Sequence, residues 1–325
     1  MKSYVKKIPV FIAIIVLVGF IGYKGFYARV HNQSNTPQNY EIGTNIKDLT
    51  IESIVKDMCD FPNRFAGTRS NAKAVQYIRN YFHAVGLAPY FEDSYYHSFQ
   101  GAYLKCSRYY MLNVNGTVEN TVGYLKGKDS SKAIVISAHM DSYLGKGVLD
   151  NASGVAALLK TTDSLLHKLK SGDYPVDLIF VAFNAEECGL LGSEAFYKEL
   201  TERYSDFYNI NMDCVGAMDK PLAAKTLYEN SQKLYQDFIP FLDKHQIPRQ
   251  DIVYAAFSDG EPVGNSDNMI FQENGHAAIV LGDHGLVGYT NTRKDSTFDI
   301  IDYAELNRLA DTVTDFVLSS NGKIY

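Results

Sequence analysis

Short apolar runs alternate with stretches of helical period along the middle of this chain, and that alternation restricts its fold more than any other feature. The segment AIVISAH, residues 133–139, is compact and rich in β-branched side chains. After LDNASG, the residues Val155, Leu158, Leu159, Thr162, Leu165, Leu166 and Leu169 follow a 3.6-residue period, which predicts a packed helix. Pro175 opens a second buried run, VDLIFVAFN, and a further helix is expected to begin near Ser193. FYNINMD, residues 207–213, reads as a third strand and HAAIVLG as a later one. Residues 304–318 read as a closing helix with Leu306, Leu309, Ala310, Val313 and Val317 on one face. Strands alternating with helices predict an α/β fold with a largely parallel sheet covered on both sides.

Upstream, Ser70 is a good N-cap for NAKAVQYIRNYFHAV, where Ala74, Ile78, Tyr81, Phe82 and Val85 keep helical spacing up to Gly86. Tyrosine-rich segments between residues 90 and 124 read as strands. The first 30 residues differ from everything after them. No charge interrupts residues 8–23, a length between a signal-peptide core and a full span of about 20 residues. With no A-x-A cleavage site near residues 22–29, the expectation is an uncleaved transmembrane anchor over residues 1–30. Lys2, Lys6 and Lys7 keep the short amino terminus in the cytoplasm, which puts the remainder outside it; cleavage and secretion is the alternative. A polar linker follows over residues 31–45, and one folded domain over residues 46–325.

A net charge of -6 and no Lys/Arg-rich run in the globular part exclude a nucleic-acid footprint. Cys59, Cys106, Cys188 and Cys214 form no C-x-x-C pair, so a thiolate zinc knuckle is not expected; one disulfide is compatible with an extracytoplasmic location. Cys214 directly follows Asp213, and in a regular strand the two side chains point to opposite faces, so both Cys214 and Cys188 read as core.

In such sheets ligands gather beyond the carboxyl ends of the strands. His139 and Asp141, with Asp150 in the loop behind them, stand at one end; Glu186 and Glu187 at a second; Asp213 at a third. Each motif alone is more often structural. Together they make a dense group of like charges that calls for a counter-ion, and one imidazole with several carboxylates suits zinc or a similar divalent ion.

SAHMDS, GVLDNASGVAALL, NAEECGLLGS and NMDCVG resemble the successive motifs of the zinc-dependent aminopeptidases typified by bacterial leucyl aminopeptidase and aminopeptidase Y. PNRFAGTRSNAKAVQYIRNYFHAVGL is similar to that family's amino-terminal helix region, and SDNMIFQENGHAAIVL to its S-D-x-x-x-F segment. The resemblance implies a three-layer α/β/α fold with a mixed, largely parallel sheet, a peptide substrate and a pair of zinc ions bridged by Asp150. His139 and Asp213 would complete one site and Glu187 would belong to the other. Asp141 would orient His139 through its far ring nitrogen, and Glu186 would be the general base.

The chain departs from the family at one point. Where a His-Thr-x-x-Asp stretch supplies the last ligand, this sequence has NTRKD, with Asn291 in the His position and Thr292 and Asp295 retained. Three readings follow: His284 substitutes; one ion is firmly held on His139, Asp150 and Asp213; or catalysis is impaired and the domain binds peptides or partners. The preferred reading is a membrane-anchored, extracytoplasmic aminopeptidase. A glutaminyl cyclase is a further alternative, disfavoured by the same missing His. Tyr254, Phe257 and Tyr289 read as packing residues.

Overall fold

The computed structural model describes residues 49–100, 116–254 and 266–325. The expected anchor and linker, together with Cys106 and Phe257, lie outside the described residues. Among the described residues no helix is long and apolar enough to cross a membrane.

Helix α1 (Ile51–Cys59) buries Ile51, Ile54, Val55 and Met58, a repeat of three and four residues that the sequence reading passed over. Helix α2 (Arg69–Ala84) is the one expected from Ser70, but its cap is Thr68. The Thr68 backbone is extended and its side chain accepts the Asn71 N–H, while Ser70 already lies in the first turn.

A mixed sheet is the centre of the fold. Its parallel part consists of β4 (Asp129–His139), β5 (Val176–Phe183), β6 (Asp206–Met212) and β9 (Ala278–Leu281), in the order β5-β4-β6-β9. Beyond β5 lies antiparallel β3 (Thr117–Leu125), which pairs in turn with β1 (Ala88–Pro89) and β2 (Tyr96–Gln100). Side chains alternate across β4: Ile134, Ile136 and Ala138 pack with α1, α2 and α3 (Gly154–Lys168), whereas Ala133 and Val135 pack with Phe196 and Leu200 of α4 (Leu191–Arg203). The two faces are therefore covered by different helices, as the three-layer expectation requires.

The closing helix α7 (Tyr303–Ser320) joins the α3 layer, as does α5 (Glu229–Lys244), and a short α6 (Asn268–Glu273) packs near β9. The separate parallel pair of β7 (Leu222–Lys225) and β8 (Arg249–Val253) had no counterpart in the sequence reading. The feature that positions the site is register. His139 pairs with Phe183 and Ser137 with Asn211, so β4, β5 and β6 end at one level with β4 in the middle. Because β5 and β6 lie on opposite sides of β4, the chain crosses over β4 there and leaves a crevice beyond its carboxyl end.

Candidate metal centre

His139 ends β4 and is almost wholly buried, 1% exposed. Its Nε2 lies 3.3 Å from Asp150 Oδ1 and 3.3 Å from Asp213 Oδ1. The three ligand atoms fall within 4.8 Å of one another, and among the described residues no other set of three or more such groups converges in this way. One ring nitrogen carries at most one proton and satisfies one of the two carboxylates, which leaves a buried charge whose desolvation is costly. Burial alone would lower the His139 pKa, but Glu186, Asp213 and the hydrogen-bonding Asp141 and Asp150 outweigh it and hold it well above its usual value. Burial likewise works to raise Asp213, yet the His139 charge leaves it below the ordinary carboxylate range. A field that draws a proton so strongly draws a divalent cation too, and one imidazole with two carboxylates fits such an ion.

The neighbouring pair Glu186 and Glu187 sits in the turn after β5, entered through Ala185 at φ 60°. Asp141 holds this turn from below: one carboxylate oxygen accepts the Glu186 N–H at 3.1 Å and the other accepts the Glu187 N–H at 3.2 Å. His139 Nδ1 is 3.2 Å from the Asp141 backbone carbonyl and 3.6 Å from its carboxylate, so ring orientation falls first to the carbonyl. Asn184 anchors the same turn through a reciprocal amide pair with Asn71, both bonds 2.9 Å, and its N–H donates to Asn120 Oδ1. Gly192 lets α4 approach, since a Cβ there would lie 2.2 Å from the Asn184 carbonyl. Burial is the main cause that pushes both glutamates well above their ordinary values.

Asp150 lies in the turn Val148–Ser153, where its own backbone (φ -114°, ψ 86°) leaves helical geometry, with a cis Asp150-Asn151 peptide. Asp295 accepts the Leu149 and Asp150 N–H groups at 2.8 and 2.9 Å, and Asn151 ties the turn to β6 by donating to the Met212 carbonyl and accepting the Cys214 N–H. The close fit needs Gly154, whose Cβ would stand 2.4 Å from the Met212 carbonyl. Behind the turn, fully buried Arg64 donates to the carbonyls of Met58, Met140, Lys146 and Gly147. Sequence reasoning quoted Arg64 only inside a motif and assigned it no role; an arginine amid apolar residues just ahead of α2 was the available signal.

A cleft open to solvent leads to the centre. Asp150, Glu186 and Asp213 lie at its acidic end, with Tyr254, Leu286 and Val287 among its walls. Cys214 is in the core, as expected, and also lines the cleft: β6 stops at Met212, Cys214 has φ 57°, and the strand alternation no longer applies. Its thiol pKa is raised well above the usual value by burial and by Asp150 and Asp213. Tyr254, expected only to pack, does pack against Ala223 and Val280 and also faces the cleft. Cys188 is core, among Phe65, Ala66, Val118 and Ala185. Cys59, Cys188 and Cys214 are free thiols, so no disulfide joins any of these three.

Asn291 reaches Glu187, as the motif alignment implies. Its amide oxygen faces the Glu187 carboxylate, acceptor against acceptor; turning the amide over lets its nitrogen donate at 2.8 Å to both Oε1 and Oε2. His284 belongs neither to the converging group nor to the cleft lining; it is half-buried, with its N–H donating to the Pro221 carbonyl.

Known proteins share this architecture. A zinc aminopeptidase from Bacillus subtilis superposes with a TM-score of 0.52 at 25% identity, covering 65% of this chain and 52% of that one. The Bacteroides thetaiotaomicron glutaminyl cyclase superposes with a TM-score of 0.64 over 82% of this chain and 96% of its own, at 18% identity that speaks to fold alone. In sequence, aminopeptidase YwaD of Bacillus subtilis is 30% identical over 176 residues, 52% of this chain and 37% of the relative, so the chain spans little more than a third of that protein. Residues 120–317, more than half of the chain and all the residues of the centre, match the peptidase family M28 profile, and the chain belongs to that family.

Proposed function

We propose that this protein is a zinc-dependent peptidase that removes residues from the amino ends of peptides. The observation that carries the reading is Glu186 in one cleft with Asp150 and Asp213, the two carboxylates that converge with His139 behind them. A zinc ion held by these three residues supplies Lewis acidity to the scissile carbonyl and to water. Glu186 takes a proton from the attacking water as its oxygen bonds to the carbonyl carbon, then delivers that proton to the amine nitrogen as the C–N bond breaks. Asp141 positions this base through the two backbone N–H groups it accepts. Similarity to aminopeptidases supports the choice of a free amino end.

The test is hydrolysis of leucyl and other aminoacyl chromogenic amides by the full chain, before and after chelation and zinc repletion. Glu186→Gln is expected to lower turnover by about 10²–10⁴-fold with zinc content unchanged. Equal cleavage of N-acetylated peptides would sink the aminopeptidase assignment, and cyclisation of glutaminyl peptides would point to the cyclase reading. Asn291 favours a second reading, a catalytically impaired domain that binds peptides. Under it, wild type and Glu186→Gln bind peptide alike and neither hydrolyses it.

The location belongs to the same proposal. Residues 1–30 anchor the protein in the cell membrane with the peptidase domain outside the cytoplasm, supported by the charge-free run over residues 8–23 behind Lys2, Lys6 and Lys7. Protease added to intact cells should remove the domain; full protection until lysis would reverse the orientation.

A further inference from the structure

We infer that the centre holds one ion, and that the Asn291 amide stands where a second ion would otherwise meet Glu187. This inference rests on the metal assignment above but not on peptidase activity. The two sides of the acidic group are built from different chemistry. On one side an imidazole nitrogen and two carboxylates converge within 4.8 Å. On the other, among the described residues, Glu187 belongs to no converging set of three.

What Glu187 meets instead are donors. With its amide turned nitrogen-first, the orientation that satisfies both partners, Asn291 Nδ2 lies 2.8 Å from each Glu187 oxygen, and the Tyr143 N–H donates to Oε1 at 3.2 Å. Both oxygens are thereby given hydrogens, and hydrogens carrying partial positive charge repel a cation from the same lone pairs. A buried carboxylate needs either donors or a counter-ion, and here the donors are supplied by the chain.

The alternative orientation of the amide turns its oxygen toward Glu187. That orientation sets acceptor against acceptor and is favourable only if a cation sits between them. An amide oxygen is neutral and a weak partner for zinc beside an imidazole or a carboxylate. A second site made that way would have Glu187 and a share of Asp150 as its only charged protein ligands. The donor orientation satisfies both partners with no ion at all. Asn291 also sits at φ 56°, a conformation that Asn and His both adopt more readily than most residues, so exchange between them is not barred by the backbone.

The experiment measures zinc per chain by elemental analysis on the full-length protein, purified in detergent and dialysed against excess zinc. Cobalt absorption titrated to its break point gives a second count. Wild type is expected to bind one equivalent. Asn291→His, which replaces the donor by a ligand, and Asn291→Asp, which replaces it by a charge, are each expected to bind two. The Asp variant keeps the question answerable if the His variant fails to fold. Two ions in the wild type would overturn the inference while leaving the metal assignment intact. One ion in wild type and in both variants would overturn the part given to Asn291. No ion in any of them would overturn the inference together with the metal assignment.

Discussion

The two sides of the acidic group differ in how their charge is answered. Asp150 and Asp213 converge on a single imidazole nitrogen at 3.3 Å, whereas Glu187 accepts the Tyr143 N–H and, with the Asn291 amide turned nitrogen-first, that amide as well. The first arrangement leaves negative charge in excess, and the second supplies hydrogen bonds to its one carboxylate. The lesson is that a buried acid marks a metal site only when the surrounding donors are too few. Counting carboxylates would have assigned ions to both sides.

The comparison breaks most visibly through His139 and Glu187. His139→Ala should abolish zinc retention and with it turnover, a loss of at least about 10²–10⁴-fold, while Glu187→Ala should leave one ion per chain. Elemental analysis of the two variants side by side checks this, and equal ion loss in both would show that Glu187 is a ligand.

The frame behind the first side gives the next effect. Arg64→Met removes the donor for four carbonyls, three of them in buried bonds, and should cost about 3–5 kcal/mol, read from the denaturant midpoint. A variant within about 0.5 kcal/mol of wild type would mean that water replaces the guanidinium there.

Asp295 acts through Asp150. Asp295→Asn keeps one acceptor oxygen for two N–H groups and should weaken zinc binding by about 10–100-fold, with little change in the Asn291 side. A zinc titration against a competing chelator measures it; unchanged affinity would show that the turn holds Asp150 without Asp295.

The smallest effect lies outside both sides and serves as a control. Burial first, and Asp302 next, push the Glu305 carboxyl up to about 7 from an ordinary 4.5. Between those values the folded protein binds more protons than the unfolded chain, so this group's contribution to stability falls as pH rises through the window. Glu305→Gln should flatten the stability profile from pH 4.5 to 7 and leave zinc stoichiometry alone. An unchanged profile would place the titration elsewhere.

The chain's own pattern was sufficient for the parallel strands, the helices between them, and the position of His139, Glu186, Glu187 and Asp213 at strand ends. Those features are legible because apolar runs and 3.6-residue repeats are local, and a strand's last residue is read from the strand itself. The family resemblance had already grouped Asp150 and Asp213 with His139; the tertiary structure alone decided that Asp141 holds the glutamate turn, that Arg64 is buried behind Asp150, and that Cys214 faces the cleft. It also set the Asn291 amide, which the family resemblance had assigned to the second site, directly against Glu187. These depend on contacts between residues far apart in sequence, Arg64 with Gly147 over 83 positions and Leu149 with Asp295 over 146, and no local period encodes them. Cys214 shows the same limit within one residue: the alternation rule ended with the strand, and only the fold determined where the strand stops.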